Sequence, residues 1–170
     1  SLNTPTPLYT GAPISLIFER EDIDAVIGGD GDDDITGNAR DNTLSGGPGD
    51  DSLAGGSGNE IYAFDADEAW GKETIFEDPT DLVGHDVLDF SATTGFPVIV
   101  DLNIFGTSPA ADQVIGNLTL VIEAGGFEEV IGGDMDDEIT GNSLDNTLRG
   151  GPGHDLLEGF GGDDFLDGGE

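Results

Sequence analysis

The sequence predicts an all-β fold, a parallel β-roll or β-solenoid of short stacked strands, from three observations. Two segments of the chain repeat every nine residues, with paired glycines at the start of most repeats. The last three residues of each repeat have a large apolar residue in the middle, which is typical of a very short strand with one inward side chain. The chain also carries 37 acidic and four basic residues, for a formal net charge of −33. A compact fold with that charge repels itself, so we expect cations to neutralise it.

The composition excludes several classes of site. Without cysteine, the chain forms no disulfide and no thiolate metal site. One methionine and two histidines favour hard cations with oxygen ligands over soft metals. Four basic residues are too few for the phosphate contacts of a nucleic-acid-binding protein. No apolar run approaches the ~20 residues of a membrane span.

The repeats form two blocks. The first block (residues 28–63) reads GGDGDDDIT, GNARDNTLS, GGPGDDSLA and GGSGNEIYA. The second block (132–170) reads GGDMDDEIT, GNSLDNTLR, GGPGHDLLE and GFGGDDFLD, and a further repeat begins at Gly168. A shift of 104 residues superposes them, with 22 of the 30 positions from Val26 to Gly55 identical. This tandem duplication, cut within a repeat, predicts a piece of a longer modular array.

Two further segments complete the predicted organisation. We expect residues 1–27 to form lead-in strands of the first unit. The middle segment (residues 64–131) has few Asp-Gly pairs and several short β-branched runs, which predict strands. We expect it to continue the solenoid as less regular coils, and the alternative is a small β-sandwich between the two blocks.

The nonapeptide combines a turn with a strand. Its glycines permit positive φ, and its sixth residue adds a carboxylate or an amide, while position 5 is expected to face solvent. Two repeats make one coil of 18 residues, which places each turn beside the turn two repeats later. Ca²⁺ accepts 6–8 oxygens in irregular geometry, carbonyls included, and this nonapeptide is a known Ca²⁺-binding repeat, whereas Mg²⁺ fits it less well. The predicted inward residues are Ile35, Leu44, Leu53, Tyr62, Ile139, Leu148, Leu157 and Leu166.

The repeats GGDGDDDIT, GGPGDDSLA and GGPGHDLLE resemble the hemolysin-type calcium-binding repeats of secreted repeats-in-toxin (RTX) proteins. The degenerate repeats GNARDNTLS and GNSLDNTLR resemble variants of the same group. The resemblance implies a β-roll with several Ca²⁺ ions bound in the turns between stacked coils. It also implies type I secretion, with a chain that stays unfolded in the cytosol and folds outside the cell.

The resemblance implies ligands as well, because in the family two turns share each ion through carbonyls and position-6 side chains. The first site would use Gly29, Gly31, Asp33, Gly46, Pro48 and Asp51. Its duplicate would use Gly133, Met135, Asp137, Gly150, Pro152 and Asp155. On the opposite edge of the roll, a site would use Asn146, Gly159, Gly161 and Asp164. Further ligands on that edge would be Asp24, Asn42, Glu60 and Glu128.

We therefore expect a structural module, not an enzyme, that binds Ca²⁺ and folds on binding it in a longer secreted or surface protein. Its partners would be Ca²⁺ and the neighbouring repeats of the parent protein. The alternative is an extracellular polysaccharide-binding or adhesion module attached to an enzyme, with Tyr9, Tyr62 and Trp70 stacking on sugar rings. Catalysis finds little support, since the repeat accounts for nearly all aspartates and no nucleophile or His-containing triad stands out.

Overall fold

Short strands in three sheets make up the computed structural model, which describes residues 15–17, 24–77, 84–104, 112–124 and 126–170. Within these ranges the regular structure consists of strands and a single 3-10 turn, Leu102–Ile104. No helix found there has the length and apolar character needed to cross a membrane. The strands pair in parallel, except for β10 (Gln113–Ile115) with β11 (Leu118–Ala124). The predicted all-β parallel roll is therefore confirmed.

The seven-stranded sheet runs through both blocks and the middle segment. Its strands, in spatial order, are β2 (Ala25–Ile27), β4 (Thr43–Ser45), β6 (Ile61–Ala63), β8 (Val87–Asp89), β12 (Glu129–Ile131), β14 (Thr147–Arg149) and β16 (Phe165–Asp167). Thr43 pairs with Ile61 after one 18-residue coil, but Ile61 pairs with Val87 and Val87 with Glu129. The coils between the two blocks are thus longer than 18 residues, and the sheet stays continuous across them.

The other face of the roll is divided between two sheets. The six-stranded sheet contains β1 (Ser15–Ile17), β3 (Asp34–Thr36), β5 (Asp51–Ala54), β7 (Gly71–Phe76), β11 (Leu118–Ala124) and β10 (Gln113–Ile115). The three-stranded sheet contains β9 (Ile99–Asp101), β13 (Glu138–Thr140) and β15 (Leu156–Glu158). The break falls at the β10–β11 hairpin, whose antiparallel pairing ends the first stack. The domain boundaries given above remain a prediction, and residues 1–14 and 18–23 of the lead-in lie outside the described residues.

A column of single side chains, one from each strand, forms the core of the blocks and continues into strands of the middle segment. The buried members are Ile35, Leu44, Leu53, Tyr62, Ile75, Leu88, Val130, Ile139 and Leu148. Leu157 packs against this core and is half-buried. Leu166, predicted to point inward, is 46% exposed, because β16 is the outer strand of its sheet and has one neighbour only.

Aromatic side chains widen the core in the middle segment. The Phe64 ring stacks on Phe90 at 5.1 Å and meets Trp70 edge-on at 6.0 Å. Tyr62 packs edge-on against Phe127 at 5.8 Å. Tyr62 is fully buried and Trp70 is 8% exposed, so these two rings fill the roll and are not available to stack on sugars. Tyr9 lies outside the described residues.

Candidate calcium sites

Glycine is required where consecutive turns approach each other. Gly29 and Gly47 have φ of 122° and 100°, in the left-handed region that other residues avoid. A side chain on Gly47 would collide with the Gly29 carbonyl oxygen. The same approach puts the Gly31 carbonyl against Gly49. The carbonyls of positions 2 and 4 therefore point toward the next turn of the stack.

The second block keeps this contact with a different residue at position 4. The Met135 carbonyl lies against Gly153, as the Gly133 carbonyl lies against Gly151. Neither Gly133 nor Met135 has a positive φ. Instead, the turn is held from the other side, where the amide of Asp134 donates to the carbonyl of Thr93 at 3.0 Å. The middle segment thus supports the turn that lacks one of the repeat's glycines.

The position-6 carboxylates are buried at the ends of the turns. Asp33, Asp51 and Asp137 are each 2% exposed. The amide of Asp33 donates to Asp51 Oδ1 at 2.7 Å, and that of Asp137 donates to Asp155 Oδ1 at 2.9 Å. One carboxylate oxygen of each later turn is therefore bonded to the backbone one coil earlier.

The second carboxylate oxygen faces a backbone carbonyl. Asp33 Oδ2 and the Gly46 carbonyl oxygen converge on the space that a Cβ on Gly28 would fill. Asp137 Oδ2 and the Gly150 carbonyl converge in the same way on Gly132. Oxygens that face each other repel, and a hard cation between them would offset that repulsion.

Two of these second oxygens have no hydrogen-bond partner. Asp51 Oδ2 and Asp155 Oδ2 are buried and accept no hydrogen bond from any donor in the described part of the chain. Burial raises the pKa of Asp51 to about 6, although the backbone amide of Asp33 and the side chain of Glu73 oppose the rise. Burial also raises the pKa of Asp137. Burial thus disfavours the charged form of both carboxylates, and a cation bound beside them would favour it.

On the opposite edge, asparagine stands where the first edge has aspartate. Asn146 is 2% exposed and its amide side chain is hydrogen-bonded on both sides. Its Oδ1 accepts from the amide of Asn142 at 2.8 Å, and its Nδ2 donates to the Phe127 carbonyl at 3.0 Å. The backbone amide of Asn146 donates to Asp164 Oδ1 at 3.0 Å. Asn146 thus braces its turn, and a ligand role for it, with Gly159, Gly161 and Asp164, stays a prediction.

The other predicted ligands of this edge are in different surroundings. Asn42 is buried, and its Oδ1 accepts from the amide of Asn38 at 2.8 Å. Asp24 is exposed. Glu128 is half-buried, and its Oε2 accepts from the amide of Asp86 at 2.9 Å. Burial raises the pKa of Glu128. The Glu128 carboxylate therefore contacts the coil before it.

Glu60 belongs to a cluster that sequence reasoning missed. Carboxylate oxygens of Glu60, Glu77 and Asp86, all buried, lie within 4.8 Å of one another, an arrangement that could hold a metal ion. Glu77 accepts a short hydrogen bond from the Tyr62 hydroxyl. Asp86 precedes β8 as Asp33 precedes β3, so its place at the start of DVLDF could have been detected as a position 6. Glu77 follows no motif.

Glu73 is a second residue that the sequence did not reveal. It is fully buried in β7, and neither carboxylate oxygen accepts a hydrogen bond from the described residues. Its register partner in β5 is Asp51. Burial raises the pKa of Glu73 well above its ordinary value, and the Asp51 carboxylate raises it further.

The position-5 residues form ladders along the outside of the turns. The amide of Asp50 donates to Asp32 Oδ1 at 3.0 Å, and the amide of Lys72 donates to Asp50 Oδ1 at 3.0 Å. The second block repeats this from His154 to Asp136 at 2.9 Å. These side chains are exposed, as expected. They also tie consecutive coils together, which the sequence analysis did not foresee.

Comparison with known families agrees with this geometry. The model of the RTX calcium-binding nonapeptide repeat matches four copies, over residues 27–59 and 140–170. The match omits the turn that contains Met135 and the whole of the middle segment. A search of curated proteins finds no match. The similarity to the RTX calcium-binding nonapeptide repeat therefore covers residues 27–59 and 140–170 of this chain.

Proposed function

We propose that the chain is a structural module that binds several Ca²⁺ ions in the turns of a β-roll and folds when it binds them. The observation that carries the proposal is the pairing of buried position-6 carboxylates with carbonyls of the next turn. Asp33 with Gly46 and Asp137 with Gly150 repeat this pairing in both blocks. The other ligands of the two ions would be the remaining residues of the two duplicate sites predicted from the sequence.

The charge balance supports coupling between folding and ion binding. Without cations, 37 acidic side chains repel each other, and the strands of the blocks contribute only one inward side chain each. Ordering a residue costs roughly 1–2 kcal/mol in backbone entropy, which so narrow a core offsets poorly. Binding Ca²⁺ removes the repulsion at the turn edges and supplies the missing free energy.

The expected setting of the module is outside the cell, within a longer secreted or surface protein. Proteins with repeats of this family are typically exported, and extracellular Ca²⁺ is abundant enough for weak sites to fill at millimolar levels. The RTX repeats are structural elements, and we propose no catalytic activity for this chain. The adhesion alternative loses support, because Tyr62 and Trp70 are buried.

The test is a Ca²⁺ titration of chelator-stripped protein followed by far-UV circular dichroism, with Mg²⁺ as the control ion. We expect a cooperative gain of β-structure with Ca²⁺ and little with Mg²⁺. Asp137→Asn should shift the midpoint to higher Ca²⁺, because it removes a buried ligand charge. Asp136→Asn is the matched control, since Asp136 is exposed and asparagine keeps the acceptor used by His154. A β-rich spectrum without Ca²⁺ that Ca²⁺ leaves unchanged would overturn the proposal.

A further inference from the structure

The first block meets the middle segment at a pair of buried carboxylates, Asp51 of the last nonapeptide on this edge and Glu73 of β7. Asp51 is 2% exposed and Glu73 is fully buried. Asp51 Oδ2 and both Glu73 oxygens accept no hydrogen bond from donors in the described ranges. Glu73 lies in a segment that the nonapeptide family model does not match.

Glu73 occupies the place of a backbone carbonyl of the repeat. At Gly28, a Cβ would meet Asp33 Oδ2 and the Gly46 carbonyl oxygen. One coil later, at Gly46, a Cβ would meet Asp51 Oδ2 and, at 2.6 Å, Glu73 Oε2. A Glu73 side-chain oxygen thus lies where the carbonyl oxygen of the next turn lies in the regular site.

On the opposite edge of the roll, the protein supplies a hydrogen-bond donor to a buried glutamate, Glu77. At Gly55, a Cβ would meet the Tyr62 hydroxyl at 2.6 Å and Glu77 Oε1 at 2.7 Å. That hydroxyl donates to Glu77. No such donor faces Glu73 in the described structure. Two facing carboxylates without a donor need either a shared proton or a cation between them.

We propose that Asp51 and Glu73 bind a Ca²⁺ ion, which extends the stack of ions on this edge one coil beyond the nonapeptides. The inference rests on the proposed function, since it places one more ion in the same stack. Glu73 adds a negative charge for this ion beside Asp51, which the first predicted site also uses. The ion would join the first block to the middle segment, where β5 pairs with β7 from Asp51–Glu73 to Ala54–Phe76.

The experiment counts bound Ca²⁺ on the whole chain, by equilibrium dialysis against Ca²⁺ and metal analysis, for the wild type and two variants. Glu73→Gln removes the buried charge and keeps the shape. Glu68→Gln makes the same change at an exposed position of the same coil. We expect Glu73→Gln to bind one ion fewer than the wild type and Glu68→Gln to bind the wild-type number.

Thermal unfolding separates a cation from a shared proton. At the lowest Ca²⁺ concentration that folds both proteins, Glu73→Gln should unfold at a temperature no lower than the wild type, because it no longer buries a carboxylate. When the Ca²⁺ concentration is then raised, its gain in unfolding temperature should be smaller than that of the wild type. If Glu73→Gln binds as many ions as the wild type with the same affinity, the inference is overturned and the pair shares a proton.

Two other results have distinct meanings. A wild-type chain that binds no Ca²⁺ overturns the proposed function and this inference together, whereas an unchanged Glu73→Gln variant overturns the inference alone. If Glu73→Gln fails to fold in Ca²⁺, Glu73→Asp takes its place, because it keeps the charge on a shorter side chain. We expect Glu73→Asp to keep the wild-type number of ions with weaker binding of one, and a titration identical to the wild type would overturn the inference.

Discussion

The two nonapeptide blocks and the middle segment belong to one roll and hold it together by different means. In the blocks, each 18-residue coil contributes single aliphatic side chains to the core and buried carboxylates such as Asp33 and Asp137 to the edges. In the middle segment, the coils are longer and the core contains Phe64, Trp70 and Phe90. We therefore expect the short coils to depend on cations, and the longer coils, which bury aromatic rings, to depend on them less.

Removing Ca²⁺ is expected to have the largest effect, and to affect the two regions unequally. In chelator, amides of the blocks should lose protection from hydrogen exchange, because their turns then hold unneutralised carboxylates. Amides of β7, β8 and β11 should lose protection last, since they surround the aromatic core. Mass-spectrometric hydrogen exchange of peptides, with and without Ca²⁺, measures this. Simultaneous loss along the whole chain would show that the aromatic core needs the ions as well.

The next largest effect is expected from the aromatic core itself. Phe64→Ala removes a buried ring and should lower the free energy of unfolding by about 3–5 kcal/mol. The loss should be similar at two saturating Ca²⁺ concentrations, since Phe64 packs on the Trp70 and Phe90 rings. Chemical denaturation measures it. Phe165→Ala is the control, because Phe165 is 55% exposed. A loss that vanishes in high Ca²⁺ would contradict the division between the two regions.

Acid pH should act on the ion-free and ion-bound protein in opposite directions. Burial raises the folded-state pKa of Asp51 and Glu73 above the ordinary values of 3.8 and 4.5. The folded chain then binds more protons than the unfolded chain, so its stability is greatest below the ordinary values and is lost as pH rises through the raised ones. In chelator, β-structure should therefore increase as pH falls from about 7 toward 5.

In Ca²⁺, the same fall in pH should weaken ion binding, because protons compete for the carboxylates. Circular dichroism across both titrations measures the two slopes. Glu73→Gln should flatten the slope in chelator, and Glu68→Gln should leave it unchanged. Slopes of the same sign in chelator and in Ca²⁺ would contradict this account.

The smallest effect is expected from removal of the Tyr62 hydroxyl, which donates a hydrogen bond to Glu77. The Tyr62 hydroxyl donates to Glu77 and accepts from the amide of Gly55 at 2.8 Å. Tyr62→Phe keeps the ring against Phe127 and should lower the free energy of unfolding by about 1–3 kcal/mol. The number of bound Ca²⁺ ions should stay the same, as measured by metal analysis. Loss of an ion would place the hydroxyl itself in an ion site.

The sequence by itself determined the regular parts of this protein. The nine-residue period predicted short parallel strands, an inward residue in each, and position-6 side chains at the turn edges, and the structure has Ile35, Leu44 and Leu53 buried in that pattern. Such features are predictable because a turn and three strand residues are local, and the spacing of 18 residues fixes which turns become neighbours. The ligand roles of the turn residues remain predictions that the experiments above test.

Only the tertiary structure decided how the blocks join the middle segment. Glu73 meets Asp51, and Glu77 and Asp86 meet Glu60, because β7 and β8 stack on the first block after coils of irregular length. No motif marks Glu73 or Glu77, since their neighbours are set by strand pairing across variable loops and not by a repeat. Sequence periodicity ends where the loops begin to vary in length, and beyond that point only the register of the sheets determines which carboxylates come together.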